Sequence, residues 1–190
     1  PRGIDVGSSE DGDATRVARS PLPAFTERTW AAAEYVTFPS LIDDYTLHAR
    51  ILKPTNMQPG TKYPVLFGPV YSNTARNRWA GNYSLVQHLL AKKGYIIVQV
   101  DSRGSNGYGR EFRLESLQQL GLAMQDDLED GLRWLEREGI ARKNSACIVG
   151  GKYGGYAALM GVVKTPDTYR CAISFGGFSS LIDKRNRSRH

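Results

Sequence analysis

Histidine is scarce in this chain, with only three. His48 and His88 lie in its first half and His190 is its final residue. A side chain at a terminus is poorly placed to hold a fixed base-to-nucleophile geometry. Cysteine is scarcer, with two, which excludes a disulfide-rich scaffold. Cys147 and Cys171 fall in apolar runs that predict buried strands, so they read as small core side chains. A bridge between neighbouring strands is the less favoured alternative, because the bond demands a narrow geometry. No apolar run approaches the ~18 residues of a membrane helix, so no membrane partner is expected. Self-similar segments are missing, which excludes a repeat architecture within the chain. Basic stripes interleaved with aromatics are missing too, so nucleic acid is not an expected partner. The net charge of +6 comes largely from Lys184, Arg185, Arg187 and Arg189, a basic tail over 184–190 that reads as solvated. No metal-ligand or cofactor motif appears, and none is expected. The chain opens at Pro1 without a signal-peptide pattern and reads as a piece of something longer.

Hydrophobic content of 41% against 23% charged residues fits a globular domain with a real core. Residues 1–28 hold Gly, Ser, Asp, Arg and Pro without periodicity and predict a disordered or linker segment. A domain is expected over 29–183. Strands are predicted at Tyr35 to Phe38 and at Thr46 to Leu52. In the second, Leu47, Ala49 and Ile51 face one way and Thr46, His48 and Arg50 the other. Tyr63 to Val70 and Tyr95 to Val100 read as buried strands. Asn82 to Lys93 predicts a helix with Leu85, Val86, Leu89 and Leu90 on one stripe. Met124 to Arg137 predicts another, with Leu128, Leu132 and Leu135 toward the core and Asp126 and Asp127 near its positive end. A strand at Ala146 to Gly150, a helix at Gly155 to Val163 and a strand at Cys171 to Phe175 complete an alternating pattern. That alternation predicts an α/β fold with parallel strands and right-handed crossovers.

The segment Gly150-Gly151-Lys152-Tyr153-Gly154-Gly155-Tyr156 joins the strand and helix through a sharp glycine-rich turn. Strand, tight turn and helix form the setting of a nucleophile elbow, G-x-S-x-G. Here the exposed position of that elbow is Lys152. Upstream stand Asp101-Ser102-Arg103-Gly104-Ser105-Asn106-Gly107-Tyr108-Gly109, then Asp126-Asp127-Leu128 and Trp134-Leu135. Downstream stand Thr165-Pro166-Asp167 and Tyr169-Arg170-Cys171-Ala172. Together with Glu34 to Phe38 and Lys62 to Leu66, this collinear set resembles the prolyl oligopeptidase family, which includes dipeptidyl peptidase IV-like and acylaminoacyl-peptidase-like enzymes. The resemblance spans residues 33 to 183. It implies an α/β-hydrolase fold, mostly parallel with flanking helices and incomplete at the C-terminus. It also implies peptide-like substrates, and a β-propeller in the parent whose junction residues 1–28 could represent.

A serine hydrolase needs a nucleophile, a base, a group orienting the base, and oxyanion donors. In α/β-hydrolases the acid and histidine follow the nucleophile. After Lys152 the only acids are Asp167 and Asp183, and the only histidine is His190. Asp167 reads as a surface turn residue, and Asp183 comes one strand too early for the family's acid. His48 and His88 precede the elbow and read as solvent-facing. Lys152 has two readings. A neutral amine there could attack a carbonyl or form a Schiff base. In the other reading, serine has been lost and hydrolysis with it. The second is favoured, because a long lysine can carry its ammonium to water. The Tyr153 backbone N–H is an expected oxyanion donor. The resemblance adds a tyrosine hydroxyl, for which Tyr71 is the candidate. Arg103 reads as a structural bridge to carbonyls or carboxylates. Asp101 precedes the nucleophile, so chain order argues against a catalytic role. Gly104, Gly107 and Gly109 read as turn residues rather than a phosphate cradle. The expected function is a peptidase-family domain that is catalytically incompetent as it stands. The alternative is a non-enzymatic interaction module on the same scaffold. Ending at the sixth predicted strand would leave a sheet edge open to self-association.

Overall fold

The structure is a computed structural model that describes residues 3–7, 14–19, 23–70 and 82–182. The chain divides into two compact units, Pro1–Trp30 and Ala31–His190. In the first, β1 (Gly3–Gly7) pairs antiparallel with β2 (Ala14–Arg19), and a short helix α1 (Pro23–Thr26) follows. Phe25 and Trp30 stack with ring centroids 4.5 Å apart, and Trp30 Nε1 donates to the Phe25 carbonyl. The sequence predicts linker here, and the structure forms a hairpin instead. Its strands carry no clean hydrophobic alternation, so periodicity could not announce them.

The second unit is built on a six-stranded sheet of order β3-β4-β6-β5-β7-β8. Its strands are β3 (Ala33–Pro39), β4 (Thr46–Leu52), β5 (Tyr63–Val70), β6 (Ile96–Asp101), β7 (Ala141–Gly151) and β8 (Tyr169–Phe175). β3, β4 and β6 pair antiparallel, while β6, β5, β7 and β8 run parallel. The helices are α2 (Asn82–Lys92), α3 (Arg110–Leu114), α4 (Ala123–Arg137) and α5 (Tyr153–Lys164). Helices fill the crossovers between the parallel strands, as the predicted alternation requires.

Strand alternation sorts side chains into two clusters. Leu47, Ile51, Phe67, Ile96, Val98 and Ile148 pack with Leu128, Leu132 and Leu135 of α4 and with Ala157 and Ala158 of α5. Leu52 and Ile97, one residue out of phase, pack with Ala31 and Ala91 in a smaller cluster. α4 follows its predicted face, and Leu135 is fully buried. α2 departs from the apolar stripe on which it was expected to pack. Ser84, Gln87 and Ala91 are buried, whereas Leu85, Val86 and Leu89 are 46%, 51% and 54% exposed. The reason is a polar cluster beneath the helix. Arg50, itself buried, donates to Gln99 at 2.7 Å and to Gln87 at 3.4 Å, and Gln87 Nε2 donates to the Gly68 carbonyl. Leaving those groups unpaired in the interior would cost more than exposing leucine.

Candidate active site

β7 lies between β5 and β8 and carries the chain into the elbow. Lys152 caps α5 with φ 53° and ψ −120°, a left-handed conformation that a non-glycine residue adopts only when its surroundings impose it. The Gly155 and Tyr156 N–H groups donate to the Lys152 carbonyl at 3.1 and 3.2 Å, closing the turn. Two glycines make it sterically feasible. A Cβ on Gly150 would collide with the Gly154 backbone, and one on Gly155 would sit 2.6 Å from Ser174 Oγ and 2.7 Å from Gly177 Cα. The turn thus presents one side chain outward from a tightly packed backbone. The Lys152 side chain is exposed, and among the described residues it has no hydrogen-bond or ion-pair partner.

Tyr153 is the first residue of α5, so its N–H is one of the donors that the helix's own hydrogen bonds do not use. Its ring is turned away into the protein. The hydroxyl lies 3.9 Å from Met124 Sδ, and burial pushes its pKa up to about 12. Tyr71, the other expected oxyanion donor, lies outside the described residues, as do Asp183 and His190. Asp167 is exposed in the turn after α5. Among the described residues the structure therefore brings no histidine and no carboxylate into contact with Lys152.

Both other histidines are more enclosed than their predicted solvent-facing positions. His48 stands opposite Asp101 in the β4–β6 register and stacks on Tyr108, with centroids 4.1 Å apart. The Tyr108 hydroxyl donates to buried Asp101 at 2.6 Å. Burial lowers the His48 pKa, against the pull of Asp101. His88 on α2 is half-buried, and burial followed by repulsion from Arg50 lowers its pKa. Asp101 thus anchors the loop after β6.

Arg103 is the main tie of that loop. Its backbone N–H donates to Asp127 Oδ2 at 2.7 Å, its Nε to Oδ1 at 3.0 Å and its Nη2 to Oδ1 at 2.8 Å. Nη1 donates to Asp43 Oδ2 at 2.7 Å, and the guanidinium lies 5.5 Å from the Tyr45 ring centroid. Burial alone would lower the Arg103 pKa, but the hydrogen bonds to Asp127 and Asp43 outweigh it and raise it. This fork joins the β6 exit, the start of α4 and the β3–β4 turn, work suited to a planar multi-donor group. Gly104 to Gly109 form a loop that leads into the short α3, rather than a helix opening directly off the strand as a phosphate cradle requires.

The alternative that the sequence disfavoured holds beside the elbow. Cys147 and Cys171 are register partners on β7 and β8 and form a disulfide, with Cα atoms 4.7 Å apart. They are not the separate core side chains expected. The usable signal was their placement in two consecutive predicted parallel strands. The register that sets them side by side is not written in their spacing.

A family model described as the prolyl oligopeptidase family matches residues 82–188, more than half of the chain. The chain belongs to the prolyl oligopeptidase family. Among curated relatives, dipeptidyl aminopeptidase BIII of Pseudoxanthomonas mexicana is 38% identical over 48% of this chain and 13% of its own length. Human dipeptidyl peptidase 8 is 32% identical over 81% of this chain and 17% of its own length. The chain therefore spans under a fifth of either relative. Among solved structures, Pyrococcus horikoshii acylaminoacyl peptidase superposes with a TM-score of 0.75 at 29% identity, covering 89% of this chain and 27% of that one. An acylaminoacyl peptidase in complex with Z-Gly-Gly-Phe-chloromethyl ketone reaches 0.78 at 28% identity, covering 93% of this chain and 28% of that one. The sheet and elbow of this prolyl oligopeptidase family member are those of the α/β-hydrolase fold of serine peptidases.

Proposed function

We propose that this chain is a peptidase-family hydrolase domain that does not cleave peptides. The observation that carries the reading is Lys152, at φ 53° in the elbow with its side chain exposed. Family chemistry requires a hydroxyl at that point to attack a peptide carbonyl, with a histidine taking its proton. Lysine supplies no hydroxyl, and the described residues supply Lys152 with no base. The Tyr153 N–H at the start of α5 is the proposed oxyanion donor, but a donor without a nucleophile leaves only residual rate. Peptide-like ligands remain the class the scaffold suits, since that is what the family hydrolyses. The hydrolase-like domain is assigned to residues 29–183, with 1–28 leading in and 184–190 as a basic tail. The test is turnover of dipeptidyl anilides by the chain and by Lys152→Ala.

A second reading, a non-enzymatic interaction module, is supported by the exposed apolar side chains of β8. β8 ends the sheet with β7 as its one neighbour among the described strands, and Ile173 and Phe175 on it are 54% and 39% exposed. Unpaired strand edges recruit further strands, so self-association of this chain through β8 follows. Sedimentation velocity should give an oligomer that Ile173→Lys returns to monomer. A monomer at all concentrations would remove this reading.

A further inference from the structure

We propose that Cys147–Cys171 is a redox clip that seats β8 against the elbow helix and that a small thiol can open. The inference does not depend on whether the chain hydrolyses peptides. Three observations carry it. The bridge links direct register partners on adjacent parallel strands, so it fixes β8 to the strand that delivers Lys152. Cys171 is exposed and Cys147 half-buried, so a thiolate can approach from solvent along the Cys171 side. β8 also has β7 as its one neighbour among the described strands, and its exit is pressed on the first turn of α5. Ser174 Oγ and Gly177 would each lie under 2.8 Å from a Cβ on Gly155, and Phe178 stacks on Tyr156 with centroids 5.5 Å apart at 18°. Whatever loosens β8 from β7 therefore loosens the wall against which the elbow helix packs.

The chemistry is thiol–disulfide exchange with a glutathione-type monothiol or a dithiol. A reductant thiolate attacks Cys171 Sγ. The Sγ–Sγ bond breaks, a mixed disulfide forms, and Cys147 leaves as thiolate and takes up a proton. A second reductant thiolate attacks the reductant sulfur of the mixed disulfide, releasing Cys171. Two reductant thiols are oxidised to one disulfide, and the protein disulfide is reduced to two thiols. Freed of the cross-link, the 24-residue separation between the cysteines no longer restrains the segment's open states.

The test is maleimide mass labelling and hydrogen exchange on the whole chain, with and without dithiothreitol. Before reduction no maleimide should add, and after it two should. Exchange over 153–158 and 169–178 should then rise by roughly tenfold or more, while α4 residues 128–135 stay unchanged. The Cys147→Ala, Cys171→Ala double variant should exchange fast in the same segments and ignore reductant. Labelling without reductant, or reduction that leaves 153–158 unchanged, would overturn the proposal.

Discussion

On one face of the sheet, Leu128, Leu132 and Leu135 of α4 and Ala157 and Ala158 of α5 pack into a single cluster with the strands. On the other, α2 turns Ser84, Gln87 and Ala91 inward and leaves Leu85, Val86 and Leu89 exposed. The first face holds the larger apolar cluster and carries the elbow, and α4 buries Gln125, Asp127 and Asp130 there as well. The second encloses the Arg50 guanidinium, Gln87, Gln99 and half-buried His88 beside a small apolar cluster. The elbow's backbone is held by the close approach of Gly150 to Gly154 and of Gly155 to Gly177, and by Ala157 and Ala158 in the larger cluster. The Lys152 side chain is exposed, whereas Gly150 and Gly155 are buried against neighbouring backbone.

The sharpest way to break this contrast is through the charge buried at the start of α4. Asp127 is fully buried and takes three donors from Arg103. Asp127→Ala would leave a largely enclosed guanidinium with Asp43 alone, and should cost about 3–5 kcal/mol in urea unfolding. A loss below ~1 kcal/mol would mean that the fork behaves like a surface pair. The contrast between faces is next. Leu135→Ala should cost about 2–5 kcal/mol, whereas Leu89→Ala should stay within ~0.5 kcal/mol. Equal costs would show that α2 is covered in solution.

A smaller effect comes from pH. The folded pKa values of His48 and His88 both lie below the ordinary 6.5. The unfolded chain therefore binds more protons as pH falls through that value, so stability is lost on acidification and is fully present above it. Asp101 faces His48 and opposes its shift, while Arg50 faces His88 and reinforces its own. The melting temperature should drop between pH 7 and pH 5, and His48→Gln with His88→Gln should flatten that slope. An unchanged slope would place both rings in solvent.

Much of this was legible in the sequence. β4 and β5 begin and end where their alternation and apolar run predict, because each has a single dominant pattern. The α4 stripe and the strand–turn–helix of the elbow were equally plain, the latter because only glycine fits at 150 and 155. α2 was harder. Its leucines form a stripe, but periodicity cannot say which face has a partner, and Arg50 decided the matter from a distant strand. The N-terminal hairpin lacks alternation, and α3 spans five residues, too few for a period to register. The disulfide and the enclosure of His48 both depend on cross-strand register, which no local pattern encodes.

On the proposed reading, the elbow carries no hydrolytic chemistry. The most direct measurement is turnover of a panel of dipeptidyl anilides by the purified chain beside Lys152→Ala. No release above buffer from either protein is the predicted result. Release by the chain that Lys152→Ala abolishes would contradict it, and would make the lysine amine a working nucleophile.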